Sequence, residues 1–596
     1  MIRSVIRSGL LAGAVALGAC DLVVNNPNSP GTPQVKTTPA DLENFLGTQY
    51  RRWSSGLYST TTNVWGMMNI QSFENYSTLA NNCQNARYPV PKVAPSNNNQ
   101  VGNTCDSEQL TIYSRLSESG RGAADVLRAL DGGLTFGSAA EDARNRAFAE
   151  FLRGLSLGYL AIVYDSAAII KADDPLTPAN TAEPGELSSY KEVMIEALSA
   201  LDKSIVAANA SAGATGANGF PLPANWMFTV TSMTAPEFIK VVHSYAARLR
   251  AQNARNPAER AAVDWDKVIA DAQAGITADH KIITSTTTDP RNNWIGQWYA
   301  YTTWHQMTPF IFGMADGGTS YATWIAQPLN TRGAGTPFFM QSPDQRLPQG
   351  ATRAAQQADF ALTQCTNANQ VCRRFFVNRA TSDPATSSSW GGSQYDAARW
   401  YSWRTSGSGT AQNGPFPFFL KSELNMLEAE GQYRKGNFAA AAALVNLTRT
   451  ACGPDAAGVL NTPAGCTARP AGNGSVGDPG GGLPAITAFD AVSPVPGGAA
   501  CVPKMPVAAS NAGGGTVTCG NLFEAIKYEK RIETAFTHFG GWFLDSRGWG
   551  DLAETVPVHW APPFEELQAR FRIGAQIYSV GGNNPTGGAA ASHYGW

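Results

Sequence analysis

The sequence predicts a mainly α-helical protein, a superhelix of tetratricopeptide-like helical hairpins with large irregular insertions of loops and short strands. Apolar residues recur at helical spacing in several successive segments, and residues typical of helix starts and stops bound those segments. The 596 residues include 59 glycines and 36 prolines, and long stretches rich in them separate the helical segments. Successive helix pairs of this kind are typical of superhelical scaffolds, although the strict repeat period of that class is absent.

The N-terminus predicts export and a lipid anchor. Two arginines precede an apolar run that is too short to span a bilayer and is typical of a cleaved signal peptide. The run closes on Leu17-Gly18-Ala19-Cys20, which resembles the bacterial lipobox, whose cysteine is acylated. We therefore expect a signal peptide over 1–19, a lipid on Cys20 and an extended tether over 20–37. An ordinary secretory signal with an incidental cysteine is the alternative.

Three helical segments follow the tether. The first is expected to begin at Thr38, with one apolar face that continues to Trp53, and the second spans about 107–130. The third, about 141–164, is the clearest amphipathic stretch. Its glycines, Gly154 and Gly158, would let neighbouring helices approach closely.

Capping residues predict the helices that come next. Ser189 with Glu192 forms one capping box, and Thr234 with Glu237 forms another. The dipeptide Asn256-Pro257 is expected to end the second of these helices, and Asp264 to cap its successor.

The pattern changes between about 280 and 416, where periodicity fades and aromatic and small polar residues dominate. Helices return at 417–435 and 437–451, and a final helix begins near Asn521 after a long stretch rich in glycine, proline and alanine.

These segments predict one domain over 38–596. Its helical scaffold would occupy about 38–279 and 417–552, and the loop-rich insertion about 280–416.

The cysteines predict disulfides. Without Cys20, eight of the nine cysteines remain, in sequence-local pairs within loop-like segments of an exported chain. Zinc is the less favoured alternative, because no two of them have C-x-x-C spacing and no histidine pair accompanies them. The proposed pairs are Cys83 with Cys105, Cys365 with Cys372, Cys452 with Cys466, and Cys501 with Cys519.

Four stretches resemble the SusD/RagB family of outer-membrane nutrient-binding lipoproteins. They are the mature start with Asn26-Pro27-Asn28-Ser29-Pro30, the helix over 148–164, the helix pair over 420–451, and the segment 525–552. This resemblance implies a helical protein on the cell surface that passes oligosaccharides, or other oligomeric nutrients, to a TonB-dependent SusC-like transporter. Two motifs depart from the family pattern, at Lys421-Ser422-Glu423 and at 537–541.

Aromatic residues outside the helical stripes are the candidates for ligand binding. Rings stack on the apolar faces of sugars, while neighbouring asparagines, such as Asn69 and Asn75 beside Trp65 and Tyr76, hydrogen-bond the hydroxyl groups. Any single ring is more often part of a core, but the clustering favours a binding face on loops. The candidates are Trp65, Tyr76, Trp294, Trp298, Tyr301, Trp304, Tyr321 and Trp324.

The acidic residues of the last motif invite an enzymatic interpretation, which we consider weaker. Glu529 and Glu533 lie one helical turn apart, near Arg531, Asp545 and Arg547. A retaining glycosidase needs two carboxyl groups in an open cleft, whereas carboxylates on a helix more often form buried ion pairs. A lipid-anchored carbohydrate-active enzyme therefore remains the alternative to a binding protein without catalysis.

Other classes have little support. Only 15% of the residues are charged and the net charge is −2, so no basic surface for nucleic acid is expected. No histidine pattern predicts a metal site and no motif predicts a cofactor. A helical-repeat scaffold of the cell envelope, which would bind protein instead of nutrient, is the second alternative.

Overall fold

The computed structural model describes residues 38–58, 64–77, 106–174, 187–211, 219–284, 305–327, 338–359, 374–379, 393–400, 414–452, 469–470, 478–507, 515–553 and 556–570. The chain divides into two units, 1–45 and 46–596. Of the first unit, 38–45 are described. Thr38 Oγ1 accepts a hydrogen bond from the backbone N–H of Asp41 (3.1 Å) and starts helix α1, Pro39–Gly47.

The N-terminal helices keep the predicted order with one difference. A single helix was expected to run from Thr38 to Trp53, but α1 ends at Gly47 and a separate α2 spans Gln49–Leu57. A Cβ at Gly47 would lie 2.6 Å from the indole nitrogen of Trp226, so the chain needs a glycine there. Next come α3, Val64–Gln71, strand β1, Asn75–Ser77, and α4, Asp106–Asp131.

The central helices pack closely around α5, Ala139–Val163, most of which is buried. Strands β2 (Ser166–Ala167) and β3 (Ser188–Ser189) connect it to α6, Tyr190–Ser211. A Cβ at Gly154 would lie 2.7 Å from Leu201 of α6, and one at Gly158 would lie 2.5 Å from Leu249. The predicted close approach at both glycines is confirmed.

The predicted caps at Thr234 and Asp264 are confirmed, whereas Asn256, which was expected to end the helix that begins at Thr234, begins a further short helix. A short α7, Ala224–Met227, precedes α8, Ala235–Gln252, whose capping box between Thr234 and Glu237 is complete. Asn256 accepts from the backbone N–H of Glu259 and starts α9, Pro257–Ala261, and Asp264 accepts from that of Lys267 and starts α10, Trp265–Ala274.

The segment 280–416 contains short elements, as expected. In order they are β4 (His280–Thr284), β5 (His305–Met307), α11 (Pro309–Phe312), a 3-10 turn (Gly313–Ala315), α12 (Ser320–Ile325), α13 (Arg353–Asp359), β6 (Phe376–Asn378) and β7 (Tyr395–Ala397). Strand β8, Gly414–Phe419, pairs with β4 in antiparallel register, so the two ends of the segment lie side by side. Strands β6 and β7 also pair.

The helix predicted from 417 begins later, because 414–419 form strand β8. Pro415 and Pro417 lie opposite Ile283 and Lys281 of β4, and proline interrupts a helical hydrogen-bond ladder. Helix α14 spans Lys421–Arg434, and a turn with Gly436 at φ 80° leads to α15, Phe438–Arg449. Such a positive φ favours glycine.

The C-terminal part begins with a 3-10 turn, Gly498–Ala500, and the hairpin of β9 (Lys504–Pro506) with β10 (Val517–Cys519). The final helices are α16 (Leu522–Thr534), α17 (Gly541–Trp549) and α18 (Phe564–Ala569). Asn521 accepts from the backbone N–H of Glu524 (3.1 Å), so the predicted start of α16 is confirmed.

The described residues are therefore mainly helical, and the predicted fold class is confirmed. Strands occur there in short antiparallel pairs. No helix in these ranges combines the length and the apolar character needed to cross a membrane.

Candidate functional site

The carboxylates of α16 form buried ion pairs and do not line an open cleft. Arg346 Nη1 lies 2.7 Å from Glu529 Oε2 and 2.9 Å from Glu533 Oε1, and all three side chains are fully buried. On the other side of the helix, Arg531 contacts Asp551 at 2.6 Å. A glycosidase needs carboxyl groups that reach a sugar, so this pair supports the structural interpretation.

Similar ion pairs connect α14 to the helices around it. Arg248 of α8 contacts Glu423 at 2.6 Å, and Arg260 of α9 contacts Glu430 at the same distance. Burial alone raises the pKa of Glu430, but the adjacent guanidinium of Arg260 outweighs it and holds the pKa at about 2. These pairs fix the mutual position of α8, α9 and α14, and Glu423 has this role although its motif departs from the family pattern.

One strand pair joins the chain positions next to two segments that carry candidate ligand residues. Strand β1 follows the segment that carries Trp65 and itself contains Tyr76, while β5 follows directly after Trp304. The strands are antiparallel, with Tyr76 opposite Gln306 and Ser77 opposite His305. Neighbouring strands lie about 5 Å apart. The chain positions that flank the two groups of aromatic candidates are therefore adjacent in space.

A layer of buried amides lies at and before β1. Asn69, Gln71 and Asn75 are fully buried, yet neither the oxygen nor the nitrogen of any of these side-chain amides has a hydrogen-bond partner in the structure. Leaving such groups unpaired costs about 1–3 kcal/mol each, and this cost is unusual in a native interior. Because these side chains are as buried as Glu529 and Glu533, they form an unusually polar interior behind β1 and do not themselves reach a surface ligand.

An uncharged carboxyl group adjoins this layer. Glu74 is buried, and its Oε1 accepts a hydrogen bond from the backbone N–H of Phe536 at 2.7 Å. Burial raises the pKa of Glu74 to about 8, so its carboxyl group is mostly protonated at neutral pH.

The same turn carries His538, and burial lowers the pKa of its imidazole to about 4. The ring is therefore neutral, and it lies so close to Gly541 that a Cβ there would overlap it. Together, Glu74 and His538 add no net charge at neutral pH.

The aromatic candidates fall into three groups. Trp65 lies on α3 and Tyr76 on β1, but the structure does not describe their side chains. Tyr321 and Trp324 are buried in the interior on α12, where Tyr321 donates to the carbonyl oxygen of Phe310 (2.6 Å). These two rings therefore belong to the core, which was the alternative considered for any single ring. Trp294, Trp298, Tyr301 and Trp304 lie outside the described residues, as does Cys20.

Sequence reasoning noted Asn69 and Asn75 near the aromatic residues, but it missed Gln71 and Glu74. No periodic pattern marks these two positions, and their burial depends on contacts distant in the chain. The pairing of Glu74 with a backbone group 462 positions away illustrates this dependence.

The predicted disulfide between Cys501 and Cys519 is present. Cys452 is also disulfide-bonded, whereas its predicted partner Cys466 lies outside the described residues. The other cysteines proposed to pair lie outside them as well, and they are Cys83, Cys105, Cys365 and Cys372.

A surface groove of about 730 Å³ runs between α4, α5 and α6. It combines apolar residues such as Leu134 and Val206 with charged residues of both signs, including Arg146 and Asp202. Val206 is 71% exposed. No aromatic ring is among the residues described as lining this groove, which distinguishes it from the aromatic segments near β1 and β5.

Comparisons with known proteins give matches in structure alone. No family model matches the chain, and no curated protein matches it. A SusD superfamily protein from Bacteroides vulgatus is 13% identical, with a TM-score of 0.48 over 87% of this chain and 89% of that one. A SusD-like protein from Bacteroides fragilis is 14% identical, with a TM-score of 0.48 over 87% and 88%.

A SusD-like carbohydrate binding protein from Bacteroides vulgatus is 12% identical, with a TM-score of 0.38 over 72% of this chain and 77% of that one.

Proposed function

We propose that this protein is a nutrient-binding lipoprotein of the SusD/RagB type, anchored in the outer membrane through Cys20. It would hold an oligosaccharide at the cell surface and deliver it unaltered to a TonB-dependent SusC-like transporter. The observation that carries the proposal is the antiparallel pair of β1 and β5, which makes the flanks of two aromatic-rich segments adjacent.

The chemistry around the pair suits a neutral sugar. Aromatic rings stack on the apolar C–H faces of a pyranose, and each ring contributes on the order of 1 kcal/mol. Amides both donate and accept, as hydroxyl groups do, and asparagines such as Asn63, Asn81 and Asn82 accompany Trp65 and Tyr76 in the sequence. The surrounding groups, protonated Glu74 and neutral His538, offer no charge to attract an acidic ligand.

Binding without hydrolysis is supported by the buried position of the acidic residues in the last motif. Glu529 and Glu533 are both held by Arg346 in the interior, so neither can protonate a glycosidic oxygen or attack an anomeric carbon from there. An enzyme would need its carboxyl groups elsewhere in the chain.

The groove between α4, α5 and α6 supports a protein partner. Its mixture of apolar and oppositely charged side chains resembles the polar, solvent-accessible rim of a protein interface, and the residues described as lining it include no aromatic ring that could stack on a sugar. We assign this groove to the transporter contact.

The test is a titration of the mature protein against neutral and acidic oligosaccharides by calorimetry. We expect binding of a neutral glycan, and a loss of at least tenfold in affinity for Trp298→Ala or Trp304→Ala, which corresponds to about 1.4 kcal/mol. Phe489→Ala is the matched control, because Phe489 is an exposed ring, 54% accessible, and lies in neither aromatic segment.

Two results would contradict the proposal. One is equal affinity in all three variants, and the other is the release of shorter sugars during the titration, which would favour the carbohydrate-active enzyme.

A further inference from the structure

Three basic side chains meet in the interior at one end of the helical scaffold. They are Arg255, just after α8, Arg547 of α17, and His559, in the segment that follows α17. Their exposed fractions are 4%, 2% and 7%. The backbone hydrogen bond from Trp560 N–H to the carbonyl oxygen of Val163 (2.8 Å) holds the His559 segment against the end of α5.

The two guanidinium groups contact backbone carbonyl oxygens and no carboxylate. Arg547 Nη1 donates to Val558 O and its Nη2 to Gln252 O, both at 2.7 Å. Arg255 Nη2 donates to Tyr164 O at 2.9 Å and also to Ala161 O. Among the described residues, no carboxylate oxygen lies within 4 Å of either group. The buried Arg248 and Arg260 differ, because each grips a glutamate with two nitrogens.

Helix ends explain part of this arrangement. Ala161 lies in the last turn of α5, and Gln252 is the last residue of α8. Carbonyl groups at helix C-termini carry partial negative charge and often accept from arginine. Backbone carbonyl oxygens thus accept from one nitrogen of Arg255 and from two nitrogens of Arg547.

Within the described part of the chain, the remaining nitrogens have no hydrogen-bond partner. They are Arg255 Nε and Nη1, Arg547 Nε, and both ring nitrogens of His559. Leaving donors of charged groups buried and unpaired is more costly than leaving neutral ones. Three guanidinium nitrogens of this kind, next to an unpaired imidazole, indicate that a bound partner is missing from the cluster.

Two acids oppose the charge of Arg255, and one of them has other partners. The acids that act on Arg255 are Asp165 and Glu259. Glu259 is already engaged, because it accepts from the hydroxyl group of Tyr190 at 2.7 Å and contacts Lys191 at 3.4 Å. The guanidinium of Arg255 also lies over the Tyr190 ring, 4.1 Å from its centre.

Fewer acids compensate the positive charge of Arg547 than that of Arg255. Burial, and next the charge of Arg255, lower the pKa of Arg547 well below the usual range of arginine. Arg260, the other cation near it, is already paired with Glu430 and Asp545. Burial, and next the charges of Arg255 and Arg547, lower the pKa of His559. Arg547 and His559 are therefore harder to charge because Arg255 is present, whereas burial alone lowers the pKa of Arg255.

We propose that Arg255, Arg547 and His559 form a binding site for a small inorganic oxyanion, such as phosphate or sulfate. The free guanidinium nitrogens present the planar donors that oxyanions prefer, and a neutral His559 adds one more N–H. The bound anion joins the ends of α5 and α8 to α17. Tyr190 is half-buried and Lys191 exposed, so the cluster lies directly beneath the protein surface.

The test measures thermal unfolding of the mature protein in phosphate, sulfate or chloride at constant ionic strength. We expect phosphate and sulfate to raise the melting temperature of the wild type saturably, by about 2 °C or more beyond chloride, as linkage requires for a ligand of the native state. Calorimetric titration with inorganic phosphate should give one site per chain.

Arg547→Met should abolish the anion-specific rise, and His559→Phe, a milder change, should weaken it. Arg449→Met is the matched control, because Arg449 is also fully buried and donates to the carbonyl oxygen of Pro484, but it lies near the acids Glu529 and Asp344. This control should keep the full rise.

The proposal is overturned if all variants respond to sulfate and phosphate as the wild type does, since this would be the general stabilisation by excluded salts. It is also overturned if the wild type shows no saturable heat with phosphate. Should Arg547→Met not fold, the comparison of His559→Phe with Arg449→Met decides.

Discussion

At the scale of single residues, most charge in this interior is paired or neutralised, and Arg255 and Arg547 are exceptions in the part of the chain that the structure describes. Arg346 joins two glutamates of α16, and Arg248 and Arg260 each join one glutamate of α14. Replacing such pairs by apolar residues can be nearly neutral, but removing one partner leaves a buried charge that costs several kcal/mol. Glu74 represents the other solution, because no cation contacts it among the described residues and it stays protonated.

Glu74 predicts a specific dependence of stability on pH. Its pKa is about 8 in the folded protein and 4.5 without burial. The contribution of this group to the free energy of unfolding is therefore complete below pH 4.5, declines as pH rises, and is lost above about pH 8. Glu74→Gln keeps an acceptor for the Phe536 N–H and cannot ionise. We expect the variant to gain at least about 1 kcal/mol over the wild type between pH 5 and pH 8.

Urea unfolding at both pH values measures this difference. His538 has the opposite trend, since its lowered pKa of about 4 adds stability above pH 6.5 that is lost as pH falls towards 4. The His538 contribution is common to both proteins and cancels in the comparison. Parallel pH profiles of the two proteins would show that Glu74 ionises normally in the folded state.

At the scale of elements, local signals predicted helices well and strands poorly. The caps at Thr234, Asp264 and Asn521 act within one turn of chain, so their residues alone identify them. The start of α14 was misplaced, because the strand 414–419 owes its conformation to pairing with β4. The meeting of β1 with β5 likewise depends on partners more than 200 positions apart.

The contact of α5 with α6 predicts the effect of added volume. Gly154→Ala places a methyl group 2.7 Å from Leu201 Cδ2 and 3.0 Å from the backbone oxygen of Ala197. Overpacking of this kind typically costs about 1–3 kcal/mol, which urea unfolding would detect. Gly318→Ala is the matched control, because its nearest neighbour would be 3.5 Å away. Equal stability of both variants would mean that α5 and α6 separate easily.

At the scale of the whole molecule, the fold class was predictable and the candidate site only in part. Helical periodicity and the family resemblance both indicated a mainly helical scaffold. The aromatic segments were visible in the sequence, but the amide layer of Asn69, Gln71 and Asn75 was not, since burial without hydrogen bonds is a property of the assembled interior. The roles of Glu529 and Glu533 became clear only with Arg346, from a distant part of the chain.

The lipid anchor is a prediction for the whole protein. In a bacterial host that processes lipoproteins, we expect the wild type in the membrane fraction and Cys20→Ala released from it, because a single cysteine carries the acyl chains. Asp21→Asn is the control and should stay with the membrane. Retention of Cys20→Ala in that fraction would favour a different mode of attachment.

The antiparallel pair of β4 and β8 has a consequence for how related chains could diverge. Since Thr284 and Gly414 are neighbours across this ladder, the segment between them could be replaced by another one that begins and ends at the same two positions. Two contacts limit such an exchange. The new segment would have to supply a cation for Glu529 in place of Arg346, and a strand that pairs with β1 in place of β5. Glu533 would keep Arg469 as its partner. The candidate ligand residues of this segment could thus be exchanged while the helices stay as they are.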